Sequence, residues 1–310
     1  MEIDIEVDEH DGIDPALRNR AARRSTLVSV GVNVALASLQ VAVGVVARSQ
    51  GLIADGVHSL ADLVSDGVVL LATHHSRKDA DARHPYGHHR FETAASLVLG
   101  LLLLMVGGGM IWSAMGKLEH PETIPHVDAV ALWVALTALI SKEALFRYML
   151  TVAKRVRSSL LVANAWHARS DAASSLVVGV GVIGNLLGYT ILDPIAAVIV
   201  GAMILKMGGG VSWEALHDLV DQSADDTEVG AIADTIASTD GVKDVHDLKT
   251  RKMGDMIIVD VHISVEGDLT VERGHDIAVE ARRRVMTRHR VLNVMTHVDP
   301  WRSPDIDGGS

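Results

Sequence analysis

The 310-residue chain has no cysteine, which excludes disulfides, thiolate metal sites and cysteine nucleophiles. It is poor in aromatics, with five Trp, three Tyr and two Phe. It is also short of positive charge: 28 Lys and Arg stand against 39 Asp and Glu, a net of −11. That balance argues against a nucleic-acid partner. Residues 1–15 have neither a basic start nor an apolar core, so a signal peptide is not expected. A polar N-terminal tail over 1–20 is. What the chain has instead is 48% apolar residues, 27 Gly, 16 His and a positive mean hydropathy.

The apolar residues fall in six blocks, at about 25–47, 50–74, 94–116, 127–149, 159–184 and 189–210. A bilayer needs roughly 20 apolar residues per helical span, and each block is long enough. Basic residues mark the orientation. Arg18, Arg20, Arg23 and Arg24 precede the first block. Arg77, Lys78, Arg83 and Arg90 follow the second, and Lys154, Arg155 and Arg157 follow the fourth. The alternate connections hold only Arg48, Lys117 and none at all. Both termini are therefore expected in the cytoplasm, with a membrane domain over 21–211.

After residue 212 the pattern becomes that of a soluble domain. A helix is expected at 227–239, stopped by Gly241. Strands are expected at 242–252 and 256–265 around a Gly254-Asp255 turn, followed by a helix at 270–289 and a strand at 291–298. The order αββαβ predicts a small two-layer α+β domain of metallochaperone type over 212–300, with a polar, disordered tail over 301–310. From 211 to 310 there are 11 basic against 20 acidic residues, a net of −9. Such a surface concentrates divalent cations and makes two protomers repel until metal binds.

The second block contains His58 and Asp62, and the fifth contains His167 and Asp171. A spacing of four puts each pair on one helix face. Two such helices side by side offer two nitrogens and two oxygens, a tetrahedral set suited to Zn²⁺. All-oxygen sites suit Mg²⁺ or Ca²⁺ better, and sulfur sites suit Cu(I). A charge at mid-bilayer costs at least ~2.5–3.5 kcal/mol, so such residues are paired, hydrated or functional. Asp55 and Asp66 extend the stripe, either lining a hydrated route or sitting near the two interfaces. Arg169 calls for an acidic partner, for which Asp66 is the nearest guess.

These motifs resemble the cation diffusion facilitator family, six-helix metal/proton antiporters, over about residues 20–300. The resemblance implies that His58, Asp62, His167 and Asp171 form the transport site, as in bacterial zinc exporters. It implies a secondary site in the loop at Asp81, His84 and His88, with His89 a bystander. It implies a binuclear site in the soluble domain from His246, His262, His297 and Asp299, with His275 nearby. Val298 stands where a polar Gln occurs in the family, leaving open whether one ion binds there or two. Arg90 and Asp221 match a basic–acidic interlock.

The implied activity is proton-coupled export of a divalent cation, most simply Zn²⁺, by a homodimer in the bacterial inner membrane. Ligands must be deprotonated to bind metal, and unperturbed imidazole titrates near ~6.5, so protons compete for the same side chains near cytoplasmic pH. The glycines at 107–109 and 179–184 are expected to allow close helix contact. An enzyme is not expected: no His-Glu-x-x-His occurs, and a closed four-ligand site leaves no place for a reactive water. A metal sensor or scaffold without flux is the alternative of another class. An Fe²⁺ or Mn²⁺ exporter of the same family is the nearer one.

Overall fold

The computed structural model describes residues 15–301 except 77, 79 and 156–158, with side chains described outside 15–23, 69, 73–74, 159–160, 163–164 and 167. The tails expected at either end lie largely outside the described residues, although helix α1 already begins at Pro15. Six long helices come first: α1 (Pro15–Val46), α2 (Gln50–Ser76), α3 (Arg90–Glu119), α4 (Val130–Arg155), α5 (Ser159–Leu186) and α6 (Leu192–Leu219). Then follow α7 (Asp226–Ala237), β1 (Asp244–Met253), β2 (Met256–Glu266), α8 (Val271–Arg288) and β3 (Val291–Trp301). The described parts fall into two compact units, Met1–Gly67 with Leu102–Gly208, and Val68–Leu101 with Gly209–Ser310.

Among the described residues, Arg24–Val46, Arg90–Glu119 and Leu192–Leu219 are long and apolar enough to cross a membrane by composition alone. The helices left out carry more ionic groups within their apolar stretches: Asp55, Asp62 and Asp66 in α2, Lys142, Glu143 and Arg147 in α4, and Arg169 and Asp171 in α5. In the first unit α4 packs along α5 and against α1, with Leu145, Phe146 and Met149 closing over Ala165 and Ala168. Glycine allows the closest helix approach: a Cβ at Gly107 of α3 would stand 3.0 Å from the carbonyl oxygen of Gly201 of α6. Gly108, Gly109 and Gly179 have no such neighbour among the described residues of this protomer. The N-terminus of α2 is capped from another helix. Asp193 of α6 accepts from the Gln50 N–H at 2.6 Å, the Gly51 N–H at 3.3 Å and the Ser49 hydroxyl at 2.5 Å.

In the second unit β1 pairs antiparallel with β2, and β2 parallel with β3, giving the strand order β1-β2-β3. The parallel pair needs a crossover, which α8 supplies. Strand alternation sends Ile257, Val259, Val261, Ile263 and Val265 of β2 into a core with Ile232, Ile236, Ile277 and Val285 of the covering helices. The opposite face carries Asp260, His262 and Ser264. Thr270 caps α8 by accepting from the Arg273 N–H, and Gly254 turns the hairpin at φ +62°.

Two of the boundaries that differ from the sequence reading bear on the sites. Helix α6 runs unbroken to Leu219, well past the end of the apolar block at about 210. Strand β3 continues past 298 to Trp301, with Asp299 facing Ser264 and Pro300 facing Val265. Proline is tolerated there because β3 is an edge strand.

Candidate metal sites

In α2, His58 Nδ1 lies 3.8 Å from Asp62 Oδ2, both on the face that the four-residue spacing requires. Asp171 of α5 joins them, with one ligand atom from each of the three residues within 4.8 Å of the others. His58 is buried and both carboxylates are partly buried. His167 stands one turn before Asp171 on α5, but its side chain lies outside the described residues. Three of the four expected ligands therefore come together, two from one helix and one from the other.

Asp55 does not line a hydrated route. It is fully buried and forms an ion pair with Lys142 of α4, Nζ to Oδ1 at 3.3 Å. Three further groups donate to its carboxylate: Ser174 at 2.7 Å, Ser175 at 2.5 Å and Gln40 Nε2 at 2.5 Å. Lys142 also donates to Ser59 Oγ at 3.1 Å and to the Asp171 carbonyl at 3.3 Å. Deleting one partner of a buried pair costs about 3–5 kcal/mol, because the other charge is left uncompensated. Lys142 is the functional candidate that the sequence reading passed over. Its signal was plain, since it is a formal charge inside an apolar block. Asp66 is exposed, and Arg169 stacks on the rings of Phe146 and Trp166 at 4.9 and 5.1 Å, so its electrostatic partners include aromatic faces.

The loop before α3 holds a second cluster. Asp81 Oδ1 lies 3.4 Å from His84 Nδ1, and Asp81 Oδ2 lies 3.5 Å from His88 Nε2. The N–H groups of His84 and Arg83 donate to Asp81 at 2.7 and 2.8 Å, a local turn that aims the carboxylate. Those two backbone bonds, His84 first, hold the Asp81 carboxyl below the usual range. Phe91 stacks on His88 at 5.6 Å and fixes its plane. His89 is outside this cluster, and its carbonyl instead faces Gly254 in the hairpin turn. At the start of α3, Arg90 forms an ion pair with Asp221 and donates to the Leu219 carbonyl at 3.3 Å. Asp221 sits at φ +65°, a left-handed conformation that Asp tolerates better than most residues.

The third cluster follows from strand register. His246 faces His262 across β1 and β2, and His262 faces His297 across β2 and β3, so three imidazoles stand in a row on the open face. Asp299 closes the row. Its Oδ2 lies 3.0 Å from His262 Nδ1 and 3.3 Å from His246 Nε2, while its Oδ1 lies 3.4 Å from His297 Nε2. Desolvation pushes the Asp299 carboxyl up, but the His262 hydrogen bond and the three nearby imidazoles together hold it below the usual range. Asp244 was missed. Its Oδ2 stands 3.3 Å from His246 Nδ1, two residues earlier on the same strand face. His275 is exposed on α8 and shares a cleft with Val298 and Asp299, but it does not enter the cluster. Val298 lies on the helix-covered face opposite Ile263, as a residue between two ligands on a strand must, but it stays exposed at the edge of that face.

Comparison with known proteins agrees with this architecture. The cation efflux transmembrane domain matches residues 26–220, and the cation efflux protein cytoplasmic domain matches residues 224–301. Metal tolerance protein 2 of Oryza sativa subsp. japonica is 34% identical over 304 residues, covering 90% of this chain and 78% of that protein. The manganese efflux system protein MneS of Bacillus subtilis is 31% identical over 274 residues, covering 88% and 94%. MneP of the same organism is 30% identical over 292 residues, covering 92% and 98%. With both domains matched in order along most of its length, the chain belongs to the cation efflux family of membrane metal transporters and is not an enzyme.

Proposed function

We propose that the chain exports Zn²⁺ from the cytoplasm in exchange for protons, as a homodimer in a bacterial inner membrane with both termini cytoplasmic. The transported ion binds His58, Asp62, His167 and Asp171. The observation that carries this reading is the convergence of His58, Asp62 and Asp171 within 4.8 Å in the helical unit, with His167 one turn from Asp171. Two imidazoles and two carboxylates form a tetrahedral set of the hardness that Zn²⁺ favours.

Imidazole and carboxylate must shed protons before they ligate a metal, so protons and zinc compete for the same four side chains. Facing the cytoplasm, the site exchanges protons for zinc. Facing outward, protons displace the metal, and alternating access couples the two halves of the cycle. The cation efflux domains divide as a membrane domain over 21–211 and a cytoplasmic domain over 212–300. In the latter, Asp299 offers one oxygen toward His246 and His262 and the other toward His297, which supports a two-ion regulatory site. The loop cluster at Asp81, His84 and His88 takes a further ion at the membrane surface.

Manganese export is the second reading, favoured by the relatives MneS and MneP, each named as a manganese efflux protein. Uptake into reconstituted vesicles, with Zn²⁺, Mn²⁺ and Fe²⁺ offered separately, with and without a pH gradient, tests both readings. Zinc flux that rises with an opposing proton gradient is the expected result. Flux of manganese alone would establish the second reading, and binding without any flux would mark a sensor.

A further inference from the structure

We propose that Lys142 is a tethered cation that positions the metal-binding turns of α2 and α5, and thereby sets how tightly and how selectively the intramembrane cluster holds its ion. The inference rests on the reading of His58, Asp62 and Asp171 as transport ligands. Lys142 belongs to α4, which supplies no residue to that cluster, yet its ammonium reaches both ligand-bearing helices. An ammonium has three donors. Here they have three separate targets: the Asp55 carboxylate at 3.3 Å, the Ser59 hydroxyl at 3.1 Å and the Asp171 carbonyl at 3.3 Å. Ser59 follows His58 directly, and Asp171 is itself a candidate ligand. One side chain thus holds α2 through two side chains beside the cluster and α5 through a backbone carbonyl.

Asp55 extends the grip. It lies three residues before His58 and seven before Asp62, on the same stripe of α2. Its two oxygens take hydroxyl bonds from Ser174 and Ser175, the residues three and four after Asp171. The Asp55–Lys142 pair therefore lies beside the ligands, with both partners almost wholly shielded from solvent.

A join needed only for folding is made more cheaply by apolar side chains, since burying two charges costs more than packing hydrocarbon of equal volume. What an ammonium adds is directional: it fixes the Asp171 carbonyl and the Ser59 hydroxyl relative to one point. This tether uses none of the side-chain atoms that would hold the metal, so it persists while the ion enters and leaves.

The test is initial-rate uptake of Zn²⁺ and Mn²⁺ by full-length protein in vesicles, comparing wild type with the Lys142→Met/Asp55→Asn double variant, with Ser59→Ala and with Asp171→Ala. The double variant removes both charges together and leaves neither buried alone. We expect it to raise the KM for Zn²⁺ by about tenfold, the lower end for loss of a group that orients metal ligands, with kcat changed much less. The preference for Zn²⁺ over Mn²⁺ should narrow with it. Ser59→Ala, which removes a single grip, should raise KM to a smaller extent in the same direction. Wild-type KM and metal preference in the double variant, or a loss confined to kcat, would overturn the proposal and leave the pair as a packing join. Should the double variant fail to fold, an unchanged KM in Ser59→Ala overturns it equally. Normal uptake by Asp171→Ala would instead remove the reading of the cluster on which the proposal rests.

Discussion

The cluster in the helical unit and the cluster on the open face of the sheet use the same side chains, imidazole and carboxylate, but are held by different means. In the helices, His58 and Asp62 keep 8% and 15% of their side-chain surface exposed. On the sheet, His246, His262 and Asp299 keep 41%, 39% and 32%. The difference decides what each can do. Charges partly shielded from water interact more strongly than exposed ones, so the helical cluster suits tight binding of a single ion. The sheet cluster faces water, which screens its charges and lets ions exchange with bulk solution.

Their assembly differs as well. The sheet row needs only main-chain pairing, since register alone sets His246, His262 and His297 side by side on neighbouring strands. The helical cluster has no ladder to align α2 with α5. It depends on close packing and on the Lys142–Asp55 network. Transport should therefore respond steeply to changes in the helical cluster and mildly to changes on the sheet.

The largest effect is expected from Asp62→Ala or Asp171→Ala, each of which opens the coordination sphere. Zinc uptake into vesicles should fall to background while the purified protein keeps its helical circular dichroism. Near-normal uptake would dissolve the contrast between the clusters. His58→Asp should leave substantial flux but make the set harder and more anionic. Relative uptake rates should shift toward Cd²⁺ and Mn²⁺, and unchanged ratios would place selectivity elsewhere.

Replacing His246, His262 and His297 by Ala should abolish most zinc binding to a 212–302 fragment measured by calorimetry, since the 14 buried residues of its core lie within the fragment. In the full chain the same change should slow transport by only about fivefold, the low end of coupling between distant sites. Background-level transport would show that the sheet cluster is part of the carrier itself.

The Arg90–Asp221 pair should act more weakly still, for a half-exposed pair is worth at most about 1 kcal/mol. Arg90→Asp should impair transport, and adding Asp221→Arg should recover part of the loss. Asp221 has φ +65°, so Asp221→Arg alone carries a backbone penalty that recovery cannot remove. The fair comparison is therefore the double variant against Asp221→Arg. Smallest of all, Thr270→Ala should destabilise the sheet domain by about 1 kcal/mol through loss of the α8 cap, without altering flux.

Much of this was legible in the chain. The six apolar blocks and the αββαβ order follow from periodicity, and the four-residue His–Asp spacing locates the ligand stripe of α2. Partners set by tertiary packing were not legible. No spacing pairs Lys142 of α4 with Asp55 of α2, 87 residues apart. Arg169 suggested an acid because cations usually find one, but the chain gave no sign that Phe146, on a different helix, would offer it a ring face. One oversight was avoidable: strand alternation already puts Asp244 on the same face as His246.

The most direct test of the central claim is zinc X-ray absorption on full-length protein in vesicles, with Asp81, His84, His88, His246, His262 and His297 all changed to Ala. The helical cluster is then the remaining candidate site. One retained zinc per chain is expected, with four nitrogen and oxygen neighbours at about 2.0–2.2 Å and the outer-shell scattering of two imidazoles. No retained zinc, or a shell of oxygen alone, would contradict the account.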